Sequence, residues 1–406
     1  MVMPEAGRAI AAVVGGLLVI TAARSVIGTV IVPRPVGSWL TRWVDKIVNG
    51  GYLMFTGLIA KRRRQIADDT GQHGPVVAAF VTVAGHLRGH RRRWVDRVSI
   101  DRILASQAAA ILMGQLVAWV AIFYVGFSLL LWPFIPAGIG DAFSLAGPAV
   151  FGPNDALGPA ERTIADLAAI AALVTVTLQI AYLPTLYSAF NRRETEVALL
   201  NARAGVPSWG PELLARTHYA LGSGTSTIDT LPDLYAEWER WAADIAESHT
   251  TYLPLVRFRS PRPLSSWVTA LLAVLDSAAL MLVLSPRAAP TVPARLCLRS
   301  GFLCFHDVAR AMGIKVPDEP DPAAGISLTY EEFLDAVTRM RKVNFKIERD
   351  PADAWPDFVG WRVNYEQAAY AVAAAVDAVP ALWSGPRRHP RAPIPPFRPP
   401  EGKPPA

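Results

Sequence analysis

From Ser106 to Phe134 (SQAAAILMGQLVAWVAIFYVGFSLLLWPF) the chain carries no charged side chain. As a helix rising about 1.5 Å per residue, that run exceeds the roughly 30 Å of a bilayer core. A helix apolar on every side has no face to give to water, so lipid or a large protein core must enclose it. Two more runs are similar. Ala9 to Val32 holds only Arg24, and Thr163 to Phe190 holds only Asp166, near its start. Three such runs predict three membrane-spanning helices. The whole chain is 52% hydrophobic and 18% charged with mean hydropathy +0.27. That excludes a disordered chain and a uniform soluble globule, where charge is nearer a quarter.

The first run is read as a retained span rather than a cleaved leader. It is longer than a signal-peptide core, Arg8 is opposed by Glu5, and no small-residue cleavage pattern follows. Arg24 lies past its midpoint and reaches toward the end bearing Arg34. Orientation follows from the loops. Residues 33–105 hold 13 Lys and Arg against five Asp, whereas residues 133–162 hold Arg162 alone. The positive-inside rule places the first loop in the cytoplasm, the N-terminus outside and everything after Phe190 inside, in a plasma (inner) membrane. Arg192 and Arg193 agree.

In that first loop Lys61, Arg62, Arg63 and Arg64, with Arg91, Arg92 and Arg93, are expected to face anionic lipid. Trp39 to Ala60 has apolar residues at helical spacing (Leu40, Trp43, Val44, Ile47), and Pro75 to Gly85 is too short to span; both are expected at the membrane surface. Basic residues beside a span are a topology signal, so no nucleic-acid partner is implied. His86 and His90 have the spacing of a metal pair but lack the adjacent Glu of a zincin motif. Cys297 and Cys304 are too few for a common zinc site or a disulfide scaffold. No cofactor, metal or catalytic constellation is expected, and the chain is not read as an enzyme.

The loop between the second and third runs reads PFIPAGIGDAFSLAGPAVFGPNDALGPAER. Asp141 is placed to cap a short helix through Phe143, Leu145 and Val150, with a turn at Gly152, Pro153 and Asn154. Two spans joined by such a loop have the plan of a cation-channel pore module, in which non-helical backbone at membrane depth lines a cavity. A plain surface loop has the same composition.

Several segments carry a resemblance: Ile180-Ala-Tyr-Leu-Pro-Thr-Leu-Tyr187, Asn191-Arg-Arg-Glu-Thr-Glu-Val197, Asn201-Ala-Arg-Ala-Gly-Val-Pro207, Trp238-Glu-Arg-Trp-Ala-Ala-Asp244, Glu247-Ser-His249, Arg257-Phe-Arg-Ser260 and Ser266-Trp-Val-Thr-Ala-Leu-Leu-Ala-Val-Leu-Asp276. Together, over roughly residues 100–290, the chain resembles a family of bacterial membrane proteins described as potassium-channel or ion-channel-domain proteins. The resemblance implies a filter between the last two spans, a homotetramer and monovalent cations as permeant species. Aligned on Ala146 to Phe151, the filter positions become Gly152, Pro153, Asn154 and Asp155. Pro153 and Asn154 break the Thr-x-Gly pattern whose carbonyl rings select potassium, leaving Asp155 as an acidic ring at a wider mouth. Gln179, Tyr182 and Thr185 are candidate pore-facing groups, and Pro184 a candidate hinge. Polar residues that glue neighbouring helices read the same way.

After Phe190 the pattern turns soluble. Helices are expected over 191–204, with Val197, Leu199 and Leu200 inward, over 211–221, over Leu234 to Thr250 with Trp238, Trp241 and Ile245 on a core, over Ala294 to Gly313, over Thr329 to Arg341 behind a Thr329/Glu332 capping box, and over Tyr365 to Leu382. Glu247 and His249 are read as structural. Ser265 to Ser285 has near-spanning length, but Asp276 at its centre and the arginines beyond it favour a buried helix. Asp318 to Asp321 only imitates a calcium loop. The last 21 residues include nine Pro and five Lys or Arg and read as a disordered tail.

The expectation is a mainly α polytopic membrane protein with three transmembrane helices, a re-entrant pore-type loop and an all-helical cytoplasmic domain. Its divisions are 1–105, 106–190, 191–385 and 386–406. The function expected is cation permeation through a potassium-channel-type pore with a degenerate filter; the alternative is a non-conducting membrane sensor or scaffold.

Overall fold

The computed structural model describes residues 5–32, 40–52, 54–55, 103–135, 138–151, 158–217, 227–321 and 325–385. Among them there is no strand. The chain divides into two units, one of Met1–Asp96 and Arg102–Ser188, the other of Arg97–Asp101 and Ala189–Ala406.

The first unit contains α1 (Glu5–Val30), α2 (Gln107–Leu131), α3 (Ile139–Phe151) and the first part of α4 (Pro159–Ala204). α1, α2 and α4 are each long and apolar enough to cross a membrane. Their outward side chains are those hydrocarbon would solvate: Ile10, Val13 and Leu17 on α1, Met113 and Val117 on α2, Leu167, Ile170 and Leu173 on α4 are all exposed. In water such rows would be an aggregation surface.

Where lipid covers the outside, apolar burial cannot drive helices together, and close packing must do it. α1 and α2 meet at Gly15 and Gly126. A methyl on Gly15 would fall 2.5 Å from the Gly126 carbonyl oxygen, so the two backbones touch. Farther along the pair, the Trp119 indole Nε1 donates to Ser25 Oγ at 2.9 Å, tying α2 to α1 inside a cluster of Ala22, Val26, Phe123, Phe127 and Ala168. Residues 40–52 are helical and pack beside the start of α2: Gln107 Nε2 donates to Asn49 Oδ1 at 2.7 Å, while Leu40 and Val44 are buried. Trp43 and Ile47, expected on the same apolar face, point outward.

α3 folds back onto α2. Asp141 lies inside the helix rather than before it, and its Oδ2 accepts the Gly138 amide at 2.9 Å. The Tyr124 hydroxyl donates to the Phe143 carbonyl at 2.9 Å, and the two rings meet edge to face at 5.5 Å. On α4 the buried positions Ala165, Ala168, Ala172, Thr175, Gln179, Tyr182 and Leu186 alternate in steps of three and four, the spacing of a knobs-into-holes seam. The helix continues unbroken through Pro184.

The second unit is a helical bundle wrapped around one apolar helix. It takes the last part of α4, then α5 (Gly210–Arg216), α6 (Leu231–Thr251), α7 (Trp267–Leu284), α8 (Thr291–Ala311), α9 (Tyr330–Arg341), α10 (Pro351–Arg362) and α11 (Glu366–Ala375). α7 is the fourth helix apolar enough to cross a membrane, yet 94% of it is buried inside the protein. α5, α6, α8, α10 and α11 all pack against it. At Gly210 of α5 the backbones themselves meet, and a Cβ there would lie 2.7 Å from the Ala273 carbonyl oxygen.

Local signals fix the other ends. Thr329 and Glu332 form the expected capping box at α9. Asp350 caps α10 by accepting the Ala352 amide at 2.8 Å, with Pro351 at the first helical position, where a missing N–H costs nothing. The sequence reading has no helix here. α8 stops at Gly313, whose φ of +74° suits glycine. α11 stops well short of Leu382: Asp377 turns left-handed at φ +50° and the Ala378 amide returns to the Ala373 carbonyl at 2.8 Å. Leu199, expected inward, is 54% exposed.

Candidate functional site

In the first unit the polar side chains on the long apolar helices are the candidates. Gln179 and Tyr182 are each 5% exposed, covered within the single chain, whereas Pro184 and Thr185 are exposed. The carbonyl oxygens of Gln115 and Gln179 are buried without a hydrogen-bond partner among the described residues. Orphan acceptors of this kind are few in folded proteins. Gly152, Pro153, Asn154 and Asp155 lie outside the described residues, as do Lys61 to Arg64, Arg91 to Arg93, His86, His90, Pro75 to Gly85 and the tail from Pro386.

The second unit concentrates its ionisable chemistry in three buried centres. The first surrounds Arg362, which is fully buried. Its Nη1 donates to Asp276 Oδ1, its Nε to Glu366 Oε2 at 2.6 Å, and its Nη2 to the Tyr370 hydroxyl at 2.8 Å and the Trp383 carbonyl at 2.7 Å. Tyr365 donates to the same Asp276 oxygen at 2.9 Å, and the Ser327 amide donates to Glu366 Oε1. The centre therefore joins α7, α10 and α11 and the chain segment after α11.

A second centre pins the last part of α4. Arg193 is fully buried, donating to the carbonyls of Leu255 at 2.8 Å and Phe258 at 2.6 Å, to Glu194 at 2.8 Å, and to His249 Nε2 at 3.0 Å. A guanidinium only donates, so His249 Nε2 must accept. The proton then sits on Nδ1, which faces Ser248 Oγ at 3.0 Å. Burial, and then the Arg193 charge, hold the His249 imidazole well below its ordinary pKa. A third centre places Glu212 between Arg216 at 2.8 Å and Arg339 at 2.7 Å, joining α5 to α9.

The His249 centre makes folding stability depend on pH with a definite sign. Above about pH 6.5 the imidazole is neutral in both folded and unfolded chains and contributes no pH dependence. Below it the unfolded chain takes up a proton that the folded chain refuses, so stability falls by about 1.4 kcal/mol per pH unit until the depressed folded pKa is reached. The unfolding temperature of the second unit should drop between about pH 7 and pH 5, and His249→Gln should flatten that drop. An equally steep drop in the variant would remove His249 from the explanation.

A groove of about 840 Å³ lies between the end of α4 and α6 and is lined by Arg192, Glu196, Glu237, Arg240 and Asp244 among others, charges of both signs. Arg192 and Asp244 already pair there at 3.1 Å. Cys297 and Cys304 are buried, and burial pushes both thiols above their ordinary range. Among the described residues no group of three or more His, Cys, Asp or Glu is placed to hold a metal ion. Asp318 instead pairs with Arg310 at 2.7 Å.

Sequence reasoning missed Arg193 and Arg362 as buried cations. A signal existed for each. Arg193 follows Leu186 and Ala189 at the next step of the α4 seam, and Arg362 stands four residues before Glu366 while Asp276 sits alone in an apolar run. The chain matches no family model, no curated protein and no solved structure, so none of these comparisons identifies an ion-channel family.

Proposed function

We propose that the chain is a channel-like membrane protein, in which α2, α3 and α4 make up one subunit's share of a cation pathway and the second unit is a cytoplasmic domain. What supports the reading is the order long helix, short folded-back helix, long helix, with α3 held on α2 by Tyr124. The side-chain amide oxygens of Gln115 and Gln179, without a hydrogen-bond partner among the described residues, add acceptors on these helices. In this reading α1, α2 and α4 span, the N-terminus is outside, and α7 does not cross. By resemblance the assembly is a homotetramer, and Asp155 rings its mouth. With Pro153 and Asn154 in the filter positions, an acidic ring gives weak cation selectivity in place of carbonyl coordination.

The test is ion flux through the full chain in liposomes under potassium and sodium gradients. Weakly selective cation flux, reduced several-fold by Asp155→Ala, is the expected result. Strong potassium selectivity would mean that the filter lies elsewhere in the loop. No flux across a range of voltage and pH would favour the second reading, a non-conducting sensor or scaffold. One observation favours that alternative: Gln179 and Tyr182 are already covered within one chain, and the exposed side of α4 is largely Leu, Ile and Val.

A further inference from the structure

Helix α8 carries an outward stripe that neither the core nor the buried charge centres use. Val292, Arg295, Leu296, Arg299 and Leu303 stand at steps of three, four, seven and eleven, which at 3.6 residues per turn fall within about 100° of arc. Val292 is 66% exposed, Leu296 47% and Leu303 42%. Arg295 and Arg299 are exposed as well. The opposite side of the same helix is committed to the bundle: Ala294, Cys297, Cys304 and Phe305 are fully buried, and a Cβ on Gly301 would meet the Leu275 side chain at 2.5 Å.

The two arginines lack carboxylate partners among the described residues. Each guanidinium lies over a ring instead, Arg295 at 5.9 Å from the Trp361 centroid and Arg299 at 5.4 Å from that of Phe302. Of the acids near the helix, Glu239 of α6 lies beside it, its backbone carbonyl accepting from Ser300 Oγ at 2.9 Å, and three others are engaged elsewhere. Asp357, which lines a groove of about 510 Å³ together with Arg295 and Trp361, is held by Arg349 at 2.7 Å. At the far end of the helix Asp307 and Asp318 both pair with Arg310. From Thr291 to Leu303 the helix has no acidic residue.

We propose that this face of α8 rests on a bilayer surface containing anionic phospholipid. Arg295 and Arg299 take headgroup phosphates, and Val292, Leu296 and Leu303 enter the boundary between headgroups and acyl chains. Charge and polarity select this occupant. A protein interface with two unmatched guanidinium groups among its apolar contacts would bury charge without compensation. A lipid surface instead presents phosphates and hydrocarbon a few ångströms apart, matching alternating arginine and leucine on one helix face. Two arginines and three aliphatic side chains bind a membrane weakly on their own, but a chain that already spans a bilayer keeps that surface at high effective concentration. The groove beside Arg295 gives a headgroup room next to the guanidinium.

The experiment uses the full chain with Leu296→Cys, labelled with an environment-sensitive fluorophore and reconstituted in phosphatidylcholine alone or in equal parts phosphatidylcholine and phosphatidylglycerol. The natural cysteines are buried, and the unsubstituted chain taken through the same labelling gives their background. Nitroxide-bearing lipids are expected to quench the label several-fold more strongly in the anionic mixture. The added substitutions Arg295→Ser and Arg299→Ser are expected to abolish that difference while leaving the unfolding temperature unchanged. Leu303→Cys provides an independent reporter should Leu296→Cys perturb the helix. An unquenched label in both lipids would overturn the proposal, as would quenching indifferent to phosphatidylglycerol and to the arginines. A label shielded only at high protein-to-lipid ratio would overturn it in favour of a second copy of the chain.

Discussion

Arg362→Leu is expected to unfold the second unit at ordinary temperature, or to lower its unfolding temperature further than any surface change. The substitution leaves Asp276 and Glu366 facing each other in a core where the Asp276 and Glu366 side chains are 2% and 6% exposed. Removing one partner of a buried ion pair typically costs about 3–5 kcal/mol, because the remaining charge is desolvated without compensation. Against a total stability of about 5–15 kcal/mol, that is a large fraction. The cost comes from the stranded charges rather than from any great net strength of the pair. Combining Arg362→Leu with Asp276→Asn and Glu366→Gln should therefore recover much of the loss. Arg362→Lys should fall between, since one ammonium cannot reproduce a guanidinium's directed bonds to Asp276, Glu366, Tyr370 and Trp383. Thermal unfolding and limited proteolysis of the full chain in detergent would measure this. An Arg362→Leu chain as stable as the parent would show that the centre does not hold the bundle together.

In the first unit the largest effect is expected from one methyl group. Gly15→Ala places a Cβ against the Gly126 carbonyl oxygen at 2.5 Å and Leu129 Cβ at 2.9 Å, neither of which can swing away. α1 and α2 must then separate, losing the packing that associates helices in lipid. Overpacking of this kind costs about 1–3 kcal/mol, and backbone contact puts it at the upper end. Gly16→Ala is the internal control, because its Cβ would meet only Leu130 Cδ2, at 3.9 Å. The same chemistry one residue later should be neutral or slightly stabilising through helix propensity. Equal unfolding temperatures for the two variants would remove the Gly15 crossing from the account.

The parts of the fold that depend on length and hydropathy were legible in advance. Ser106 to Phe134 became α2 with a short 3₁₀ turn through Phe134, and the run beginning at Ala9 became most of α1. Thr329 and Glu332 announced α9 because a capping box is a local signal. What hydropathy could not resolve was which charges go inside. Arg192 and Arg193 read alike as positive-inside charges, yet Arg192 is exposed while Arg193 reaches two backbone carbonyls and His249 in the core. That difference is set by helix phase and tertiary partners, neither of which adjacent sequence contains. Asp276 read as too costly for lipid; in the structure it lies buried against Arg362, far along the chain. α10 was hidden because Pro351 stands at a position where proline starts a helix rather than breaks one. The candidate site was legible only as an order of elements, since the channel reading rests on α2, α3 and α4 following one another.

The account rests on α7 being a core helix although it is long and apolar enough to span. Asp229, before it, and Glu319, after it, are both exposed, which makes them suitable single-cysteine positions in a chain whose own cysteines are buried. Asp229→Cys and Glu319→Cys, each in the full chain in sealed membrane vesicles of known sidedness, would be treated with a membrane-impermeant maleimide. The account predicts that both positions react from the same side. Reaction from opposite sides would place α7 across the bilayer and contradict it.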